Sequence, residues 1–448
     1  MPGTIETDGP GAPERRLPGQ HGPSPRHPTA RPAGARRRWQ HFIAAHSSPS
    51  LTAAVTVVMW AAAAVAWTLT TLRLDHRLGS GLGRDLGTVW YAERVFAHGG
   101  QPYSQAATHH RLYLYPPSSL LVLRPTALLS LHAALVLGLV ATAALAWATV
   151  MVTSAAFGRR WWGLTSAVVV FALAFPQPMV AELTLENVTV MCALALAGCY
   201  LLVTRGHFDA AAILIGLSLA IKPMLLPVVL MFVIARKPRA FCLAIAVPLV
   251  LNGIAFAVVK NPNEVWSKLP SLLNRSGSGV QFNSAWVGVG HILGLPGLAT
   301  ILIQVATVAL AVAGAWWSWQ RLTDPATRFV TTTSVLLIGA FLAGTLSENH
   351  FMVVLVPLAM SAIVPEAPMR RVTAWIGVLL LMGLTPPGSL LGLDSEANLS
   401  VFRAFGMAVV LLTIVVVVGR RRSDASRMGL TMKSGTGQSS TLNGTFAG

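Results

Sequence analysis

Residues 79–119 read GSGLGRDLGTVWYAERVFAHGGQPYSQAATHHRLYLYPPSS. This stretch is polar and aromatic, and it follows an apolar segment at 51–72 that is long enough to cross a membrane as a helix. Most of the remaining chain consists of further apolar segments of helical length. We therefore expect 79–119 to form a loop on one face of a membrane-embedded helical bundle, and we predict that its Asp85 is the catalytic residue.

The composition of the 448-residue chain supports this class of protein. Hydrophobic residues make up 54% of the sequence and charged residues only 11%, and the mean hydropathy is +0.61. A soluble domain of this size cannot bury so much apolar surface. The apolar runs are continuous rather than alternating, which excludes a transmembrane β-barrel. The sequence therefore predicts an all-α polytopic membrane protein.

The net charge of +17 reflects topology. The Lys and Arg residues lie in short clusters between apolar segments and in the two tails, as expected of cytoplasmic loops. This distribution argues against a nucleic-acid partner. The three cysteines, Cys192, Cys199 and Cys242, all lie inside apolar runs, so we expect small packing residues and neither a disulfide nor a metal site.

Basic clusters on one side of the membrane set the predicted topology. Residues 1–49 are rich in Pro, Gly and Arg and form a predicted disordered cytoplasmic tail without a signal peptide. Residues 50–420 form the transmembrane domain, and 421–448 a second disordered cytoplasmic tail. Segment 119–130 is too short to span comfortably and is interpreted as an interfacial or re-entrant helix. About 12 spans are predicted: 51–72, 131–156, 161–181, 188–204, two short spans within 209–235, 240–259, 297–319, 329–346, 351–366, 372–392 and 400–419.

Under this topology the outer face collects the polar residues that need an explanation, because ionisable groups at membrane depth are costly. Asp85 follows the first span in the glycine-rich sequence GLGRDLG and could act as general base toward an acceptor hydroxyl. The alternative is that Asp85 caps the helix that follows. Asp75 and Glu93 are competing acids, of which Glu93 is expected to face solvent or Arg94.

Lys222, which precedes Pro223, interrupts an apolar run and is placed to meet a phosphate as a point charge. The alternative is a lysine that snorkels from a helix end. His350 opens a span directly after Glu348 and Asn349 and could bind a phosphate or a sugar hydroxyl, or be an interfacial histidine without a role.

Five further outer-face residues are candidates for substrate binding, and they are Tyr115, Glu186, Asn187, Asn283 and Glu348. Glu186 and Asn187, at a bend between spans that also holds Glu182, could bind sugar hydroxyls or simply end a helix. Asn283 lies in a loop whose sequence is also ordinary turn chemistry. Tyr115 belongs to the YPP sequence at the end of the first loop.

No metal or cofactor is expected. His109, His110 and Arg111 lack metal-ligand spacing, which favours a solvated loop. The sequence contains no phosphate-binding loop, dinucleotide fingerprint or catalytic-serine elbow. An outward-facing enzyme without a nucleotide site requires an activated substrate delivered by a lipid.

Several stretches resemble the GT-C superfamily of membrane glycosyltransferases that use polyprenyl-phosphate sugars. They are Asp85, LYLYPPSS at Leu112–Ser119, and the segments ENVTVMCALALAG at 186–198, GLSLAIKPMLLPVVL at 216–230, FNSAWVGVG at 282–290 and SENHFMVVLVPLAMSAIVP at 347–365. Within it the chain is similar to the mycobacterial and corynebacterial group of α-(1→3)-arabinofuranosyltransferases and α-(1→2)-mannosyltransferases. The ordered set covers most of 50–420.

The resemblance implies an inverting transfer on the outer side of the plasma membrane, from a sugar on decaprenyl phosphate to a cell-wall glycan or lipoglycan. It implies Asp85 as the base and Lys222 as a contact to the donor phosphate. His350 lies where the mannosyltransferases have a histidine, whereas FNSAWVGVG and KPMLLP favour arabinofuranose, which is our narrow preference.

The rival interpretation from another class is a transporter or flippase of a lipid-linked sugar, which 12 spans would suit. The hydropathy shows no inverted repeat, and the polar residues gather on one face rather than at the membrane midplane. A scaffolding membrane protein is a weaker third alternative, since it would need neither Asp85 nor Lys222.

Overall fold

The computed structural model describes residues 49–75, 82–108, 113–261, 263–265, 267–269, 282–383 and 395–435. Residues 53–448 belong to one compact unit, and of the other unit, 1–52, only 49–52 are described. Every regular element in the described ranges is a helix, as predicted. The predicted tail at 1–49 lies almost wholly outside the described residues. Of the predicted disordered tail at 421–448, residues 421–435 are described and continue the last helix.

The first half of the chain alternates long apolar helices with short ones. The helices are α1 (Pro49–Asp75), α2 (Arg84–Ala97), α3 (Pro102–Thr108), α4 (Ser119–Val122), a 3-10 helix (Arg124–Leu128), α5 (Leu131–Ala156), α6 (Leu164–Leu173), α7 (Gln177–Leu185), α8 (Thr189–Thr204) and α9 (Phe208–Ile221). Segment 119–130 is therefore made of two short helices, neither of spanning length, as predicted.

The second half continues from a proline-rich break after Ile221. Its helices are a 3-10 helix (Pro223–Val229), α10 (Leu230–Ile234), α11 (Pro238–Val258), α12 (Trp286–Ile292), α13 (Gly297–Arg321), α14 (Pro325–Ala343), a 3-10 helix (Asn349–Leu355), α15 (Val356–Met360), two 3-10 turns (Ser361–Ile363 and Pro368–Arg370), α16 (Val372–Leu381) and α17 (Ser395–Gly435).

Six of the described helices are long and apolar enough to cross a membrane, or seven if α6 and α7 count as one span bent by 70°. The count of about 12 is thus not confirmed. The predicted spans at 188–204, 351–366 and 372–392 correspond to described apolar helices of only 10–17 residues. Segment 209–235 is divided after Ile221, in agreement with the two short segments predicted there, because proline at 223 and 227 lacks the N–H that a continuing helix needs.

Exposed apolar side chains mark the lipid-facing side of the bundle. On α13, Leu298, Leu302 and Val305 point outward at spacings of four and three residues.

Cys192 and Cys199 are buried packing residues as predicted, but Cys242 is exposed on α11, so the packing role predicted for it is wrong. Helices are adjacent in pairs, of which α5 with α8, α9 with α11, α13 with α14, and α16 with α17 are the most extensive.

Opposite ends of the bundle carry different chemistry. At one end, Asp209 of α9 pairs with Arg239 at an Oδ2–Nε distance of 3.0 Å. At the same end, Glu366 accepts hydrogen bonds from Thr323 and Arg421. Because α9 begins beside Asp209 and ends beside Lys222, Lys222 lies at the end away from these ion pairs.

The predicted outer loop has its own small core. Val89 and Phe96 of α2 pack with Tyr103, Tyr113 and Leu120, forming a buried cluster separate from the core of the helical bundle. The edge of this cluster is closed by Val188, Ile221 and Val259 from the bundle. The loop is therefore folded against the end of the bundle at which α9 reaches Lys222.

Candidate functional site

Four distant stretches of the chain meet at this end of the bundle. Asn187 Nδ2 donates to Asp85 Oδ2 at 2.6 Å, and Lys222 Nζ donates to Asn187 Oδ1 at 2.9 Å. Lys222 Nζ also lies 3.4 Å from His350 Nε2. The sequence analysis singled out all four residues, and the structure joins them in one continuous polar chain.

A glycine turn aims Asp85 at this site. Gly83 has φ 66°, in the left-handed region, and its N–H donates to Thr184 O at 2.7 Å. Helix α2 then begins at Arg84, so Asp85 lies inside the first turn and its side chain caps no backbone N–H. The capping interpretation of Asp85 is therefore wrong, and the partner of its carboxylate is the Asn187 amide.

Asn187 is oriented by its neighbours. Its Oδ1 accepts from the Thr189 backbone N–H at 3.1 Å and from the Thr189 hydroxyl at 2.9 Å, in addition to Lys222. With Oδ1 fixed on these donors, Nδ2 must face the acceptor Asp85. The chain reaches this position because α7 ends at Leu185 and Glu186 adopts φ 52°, which confirms the predicted bend.

Lys222 is held by three polar contacts and one aromatic ring. Its ammonium donates to Asn187 Oδ1 and to Thr189 Oγ1 at 2.8 Å, and its third N–H faces His350. The Nζ also lies 4.4 Å from the centre of the Phe351 ring, a cation–π distance. Backbone geometry aids this, since α9 ends at Ile221 and Lys222 is extended before Pro223.

His350 is 1% exposed and lies behind Lys222. Because an ammonium can only donate, the Nε2 atom of His350 accepts and its ring proton resides on Nδ1. Nδ1 lies 3.5 Å from Glu348 Oε2, so the imidazole links Glu348 to Lys222. Burial raises the pKa of Glu348, and the positive charges of Lys222 and Arg84 partly oppose that rise.

Asn283 joins two loops beside the site. Its Nδ2 donates to Thr345 O at 2.8 Å, while its Oδ1 accepts from the backbone N–H of Ala285 and of Ser347. Ser284 N–H also donates to Ser347 O at 2.8 Å. The Asn283 amide is thus used by backbone groups and holds the segment that leads to Glu348 and His350.

Tyr115 lies between the loop core and the site. Its ring contacts Tyr113 at 5.4 Å between centroids, and its carbonyl accepts from the Tyr103 hydroxyl at 2.8 Å. Burial raises the pKa of Tyr115 well above its usual range, and the nearby carboxyls of Asp85, Glu182 and Glu348 raise it further. Tyr115 lies in the same buried cluster as Val188 and Ile221, which neighbour Asn187 and Lys222 in the sequence.

Glu186 is brought near the cluster but turned away from it. A Cβ built on Gly138 of α5 would lie 2.4 Å from Glu186 Oε2, and one on Gly83 would lie 3.1 Å from Oε1. Neither carboxyl oxygen has a hydrogen-bond partner among the described residues. Burial raises the pKa of Glu186 to about 8.

Three residues contribute to the site without an assigned role from the sequence. Thr189 accepts a hydrogen bond from Lys222. The sequence feature that could have indicated this residue is its position two residues after Asn187. Glu182 is buried and its Oε1 accepts from the Val190 N–H at 2.9 Å. Arg84 lies beside Asp85, with Nε 3.9 Å from Asp85 Oδ1.

The expectation that Glu93 faces solvent or Arg94 is wrong. Glu93 is 0% exposed, and both of its carboxyl oxygens lack partners among the described residues. The position follows from helix geometry, since α2 turns Glu93 toward the aromatic core of the loop. Burial raises its pKa to about 9 against the opposing charge of Arg124. The Asp75 side chain and residues 109–111 lie outside the described part.

Comparison with known proteins gives one family. The family model for glycosyltransferase family 87 matches residues 113–345. An α-(1→3)-arabinofuranosyltransferase of Mycolicibacterium smegmatis is 27% identical over 366 residues, covering 74% of this chain and 78% of the relative. Enzymes of the same name from Mycobacterium tuberculosis and Corynebacterium glutamicum are also 27% identical, over 340 and 342 residues, each covering 71% of this chain and 76% and 78% of the relative. No solved structure matches.

Proposed function

This chain belongs to glycosyltransferase family 87, and from that premise we propose that it moves arabinofuranose from decaprenylphosphoryl-arabinose to a cell-wall arabinan acceptor. The transfer inverts the anomeric carbon and takes place outside the plasma membrane. The observation that carries the proposal is the Asp85–Asn187–Lys222 chain, in which one amide joins a carboxylate to an ammonium. In this arrangement the carboxylate is suited to act as base on an acceptor hydroxyl, and the ammonium is suited to bind a departing phosphate.

Asp85 is the proposed general base. Its carboxylate takes the proton of the acceptor hydroxyl while that oxygen attacks the anomeric carbon of the sugar. The bond between this carbon and the phosphate oxygen breaks, and its electron pair leaves with the phosphate. The products are the glycoside, decaprenyl phosphate and protonated Asp85, which returns its proton to water. The donor is already activated, so the step needs no nucleotide.

Lys222 is the proposed electrostatic partner of the phosphate. The weakest of its three contacts is the one to His350, at 3.4 Å, and a phosphate oxygen could replace that contact while the Asn187 bridge stays intact. Fixed charges aimed at a developing anion stabilise the transition state because they need no reorganisation. His350 and Glu348 support Lys222 from behind.

The remaining candidates receive roles from their contacts. Tyr115 and Glu348 are proposed to meet sugar hydroxyls, because both lie near the Asp85 carboxyl. Asn187 and Asn283 are proposed to position other groups, since their amides are occupied by protein atoms. Glu186 is proposed to act through the Gly83 turn beside which it packs.

An apolar cavity next to the site supports a polyprenyl donor. It is lined near the site by Met179, one turn before Glu182, and by Met352 and Val353, just after His350. Met369 and Val410, which are distant in sequence from the site residues, also line this cavity. The proposed prenyl chain lies along this cavity, with its phosphate toward Lys222, whose Nζ lies 3.4 Å from His350 Nε2.

The distribution of charge supports the proposed sidedness. Lys and Arg accumulate in cytoplasmic loops, and α9 carries the Asp209–Arg239 pair at one end and Lys222 at the other. This arrangement supports an extracytoplasmic site, where cell-wall acceptors are found.

The test is cell-free transfer with purified protein and decaprenyl phosphate charged with either arabinose or mannose. We expect consumption of the arabinose donor, and Asp85→Asn should lower kcat by about 10²–10⁴-fold while donor binding persists. Consumption of the mannose donor alone would replace the sugar by mannose and leave the mechanism intact. Transport of the donor across vesicles without transfer would contradict the proposal and favour a flippase.

A further inference from the structure

Arg84 is an exposed cation beside Asp85. It is the first residue of α2, its side chain is 74% exposed, and its Nε lies 3.9 Å from Asp85 Oδ1. Successive helical residues diverge by about 100°, so Asp85 turns to Asn187 while Arg84 turns to the open side. The charge of Arg84 also partly opposes the rise that burial causes in the pKa of Glu348.

Lys222 offers the donor phosphate charge but few hydrogen bonds. Asn187 and Thr189 hold two of its three N–H groups at 2.9 and 2.8 Å, and the third faces His350. The Phe351 ring covers a further side of the ammonium. An incoming phosphate can therefore gain at most one N–H from Lys222 without breaking the bridge to Asp85.

The charge of the phosphate changes during the reaction. In the lipid donor it is a phosphodiester with one negative charge, and after the bond to the sugar breaks it is a monoester with a second pKa of about 6. At neutral pH the leaving group therefore carries almost a full additional charge. Lys222 is one cation in place for the donor, and the second charge requires another.

We propose that Arg84 is a phosphate-binding residue that completes the lipid-phosphate site with Lys222 and binds the product monoester more strongly than the donor diester. The proposal rests on the proposed function for the identity of the donor. The planar guanidinium of Arg84 can give two parallel N–H groups to one phosphate, which an ammonium cannot. Its position beside Asp85 also separates that carboxylate from the anionic leaving group.

The experiment measures binding of decaprenyl phosphate to the full-length protein in nanodiscs, for the wild type, Arg84→Ala and Arg84→Lys. Arg94→Ala is the matched control, because Arg94 is an exposed arginine on the same helix whose guanidinium lies over Trp90. At about pH 8 we expect Arg84→Ala to weaken binding about tenfold or more. Arg84→Lys should recover part of the affinity, and Arg94→Ala should match the wild type.

The pH dependence separates phosphate binding from a role on Asp85. At about pH 5 decaprenyl phosphate carries one charge, so the loss caused by Arg84→Ala should shrink to about threefold or less. Asp85, Glu348 and His350 also face this region, so a decaprenyl methyl phosphodiester, which keeps one charge throughout, is measured in parallel. For this diester the Arg84→Ala loss should be small and the same at both pH values.

Two outcomes would overturn the inference: unchanged decaprenyl phosphate affinity in Arg84→Ala, or an equal loss for monoester and diester. Thermal unfolding of each variant establishes that it is folded. The proposed function fails separately, since wild-type protein that binds decaprenyl phosphate through Arg84 but transfers neither sugar would retain the site and lose the reaction.

Discussion

Asn187 is the residue on which the geometry of the site depends. It accepts from Lys222 and donates to Asp85, so its side chain fixes the distance between the proposed base and the proposed cation. Thr189 holds the same amide from the other side. A side chain so fully engaged is suited to positioning and has little capacity left for a sugar.

Asn187→Ala should therefore lower kcat more than it changes donor affinity. Removing the amide releases the Asp85 carboxylate and leaves Lys222 with one fewer acceptor, which costs a charge-assisted hydrogen bond of about 1.5–3 kcal/mol. We expect kcat to fall about tenfold to a hundredfold, measured by transfer at saturating donor. A rise in donor KM with unchanged kcat would instead assign Asn187 to direct substrate binding.

Glu93 gives a prediction about stability rather than catalysis, because its carboxyl is buried without a partner among the described residues. Its pKa of about 9 in the folded protein lies above the ordinary value of 4.5, so the folded state retains a proton that the unfolded state releases. Stability from this group is complete below about pH 4.5 and is lost as the pH rises toward 9. Glu93→Gln keeps the shape and removes the titration.

The melting temperature of Glu93→Gln should therefore exceed that of the wild type at pH 8 and approach it well below pH 4.5, where Glu93 is neutral in the folded and in the unfolded state. Glu366 supplies the comparison. Burial raises its pKa, but hydrogen bonds from Asp324 and Thr323 outweigh that effect and lower it overall. Glu366→Gln should destabilise at pH 8, so equal behaviour of the two variants would contradict this assignment.

Chemical type made several site residues predictable. Asp85, Lys222 and His350 stand out because an ionisable side chain near an apolar run is costly and requires a reason. Their contacts were not predictable, since Asn187 and Asp85 are 102 positions apart and Lys222 and His350 are 128 apart. Thr189 and Arg84 carry no such signal, because threonine is common in membrane helices and arginine in exposed loops.

Turns between helices position these residues, and some of these turns were easier to predict from the sequence than others. The Lys222-Pro223 break follows from the missing proline N–H. The Glu186 turn in the left-handed region, which glycine would ordinarily occupy, carries no such signal. Helix length was the least predictable property, because apolar composition does not reveal where packing within the bundle replaces contact with lipid.

Gly83 provides the prediction at this scale. A side chain there would be strained at φ 66°, and its Cβ would lie 2.2 Å from Leu135 Cδ2. Gly83→Ala should shift the start of α2, displace Asp85 and lower kcat by about tenfold or more. Gly99→Ala is the matched control, because Gly99 has φ 70° but nothing within 4 Å of the added Cβ.

Both substitutions carry the left-handed backbone cost of about 1–2 kcal/mol, and Gly83→Ala should lower the melting temperature further because of its contact with Leu135. Only Gly83→Ala should lose transfer activity beyond that loss of stability. Equal activity in the two variants would mean that the Gly83 turn does not govern the position of Asp85.

At the scale of the whole molecule, the proposed site and the ion-paired end lie at opposite ends of α9. The end with Asp209, Arg239, Glu366 and Arg421 is held by ion pairs. The other end holds Asp85 and Lys222 against the loop core. The sequence predicts that this end faces outward because Lys and Arg accumulate in cytoplasmic loops, and this orientation stays a prediction.

Labelling of single cysteines tests this polarity directly. In a variant without Cys192, Cys199 and Cys242, Ala97→Cys should react with a membrane-impermeant maleimide in intact cells, since Ala97 is exposed at the end of α2. His207→Cys, exposed beside Arg205 at the opposite end, should react only after the membrane is opened. The reverse pattern would turn Asp85 toward the cytoplasm. A cytoplasmic Asp85 could not reach an acceptor assembled in the cell wall, so this single reversal would refute the proposed reaction whatever the sugar.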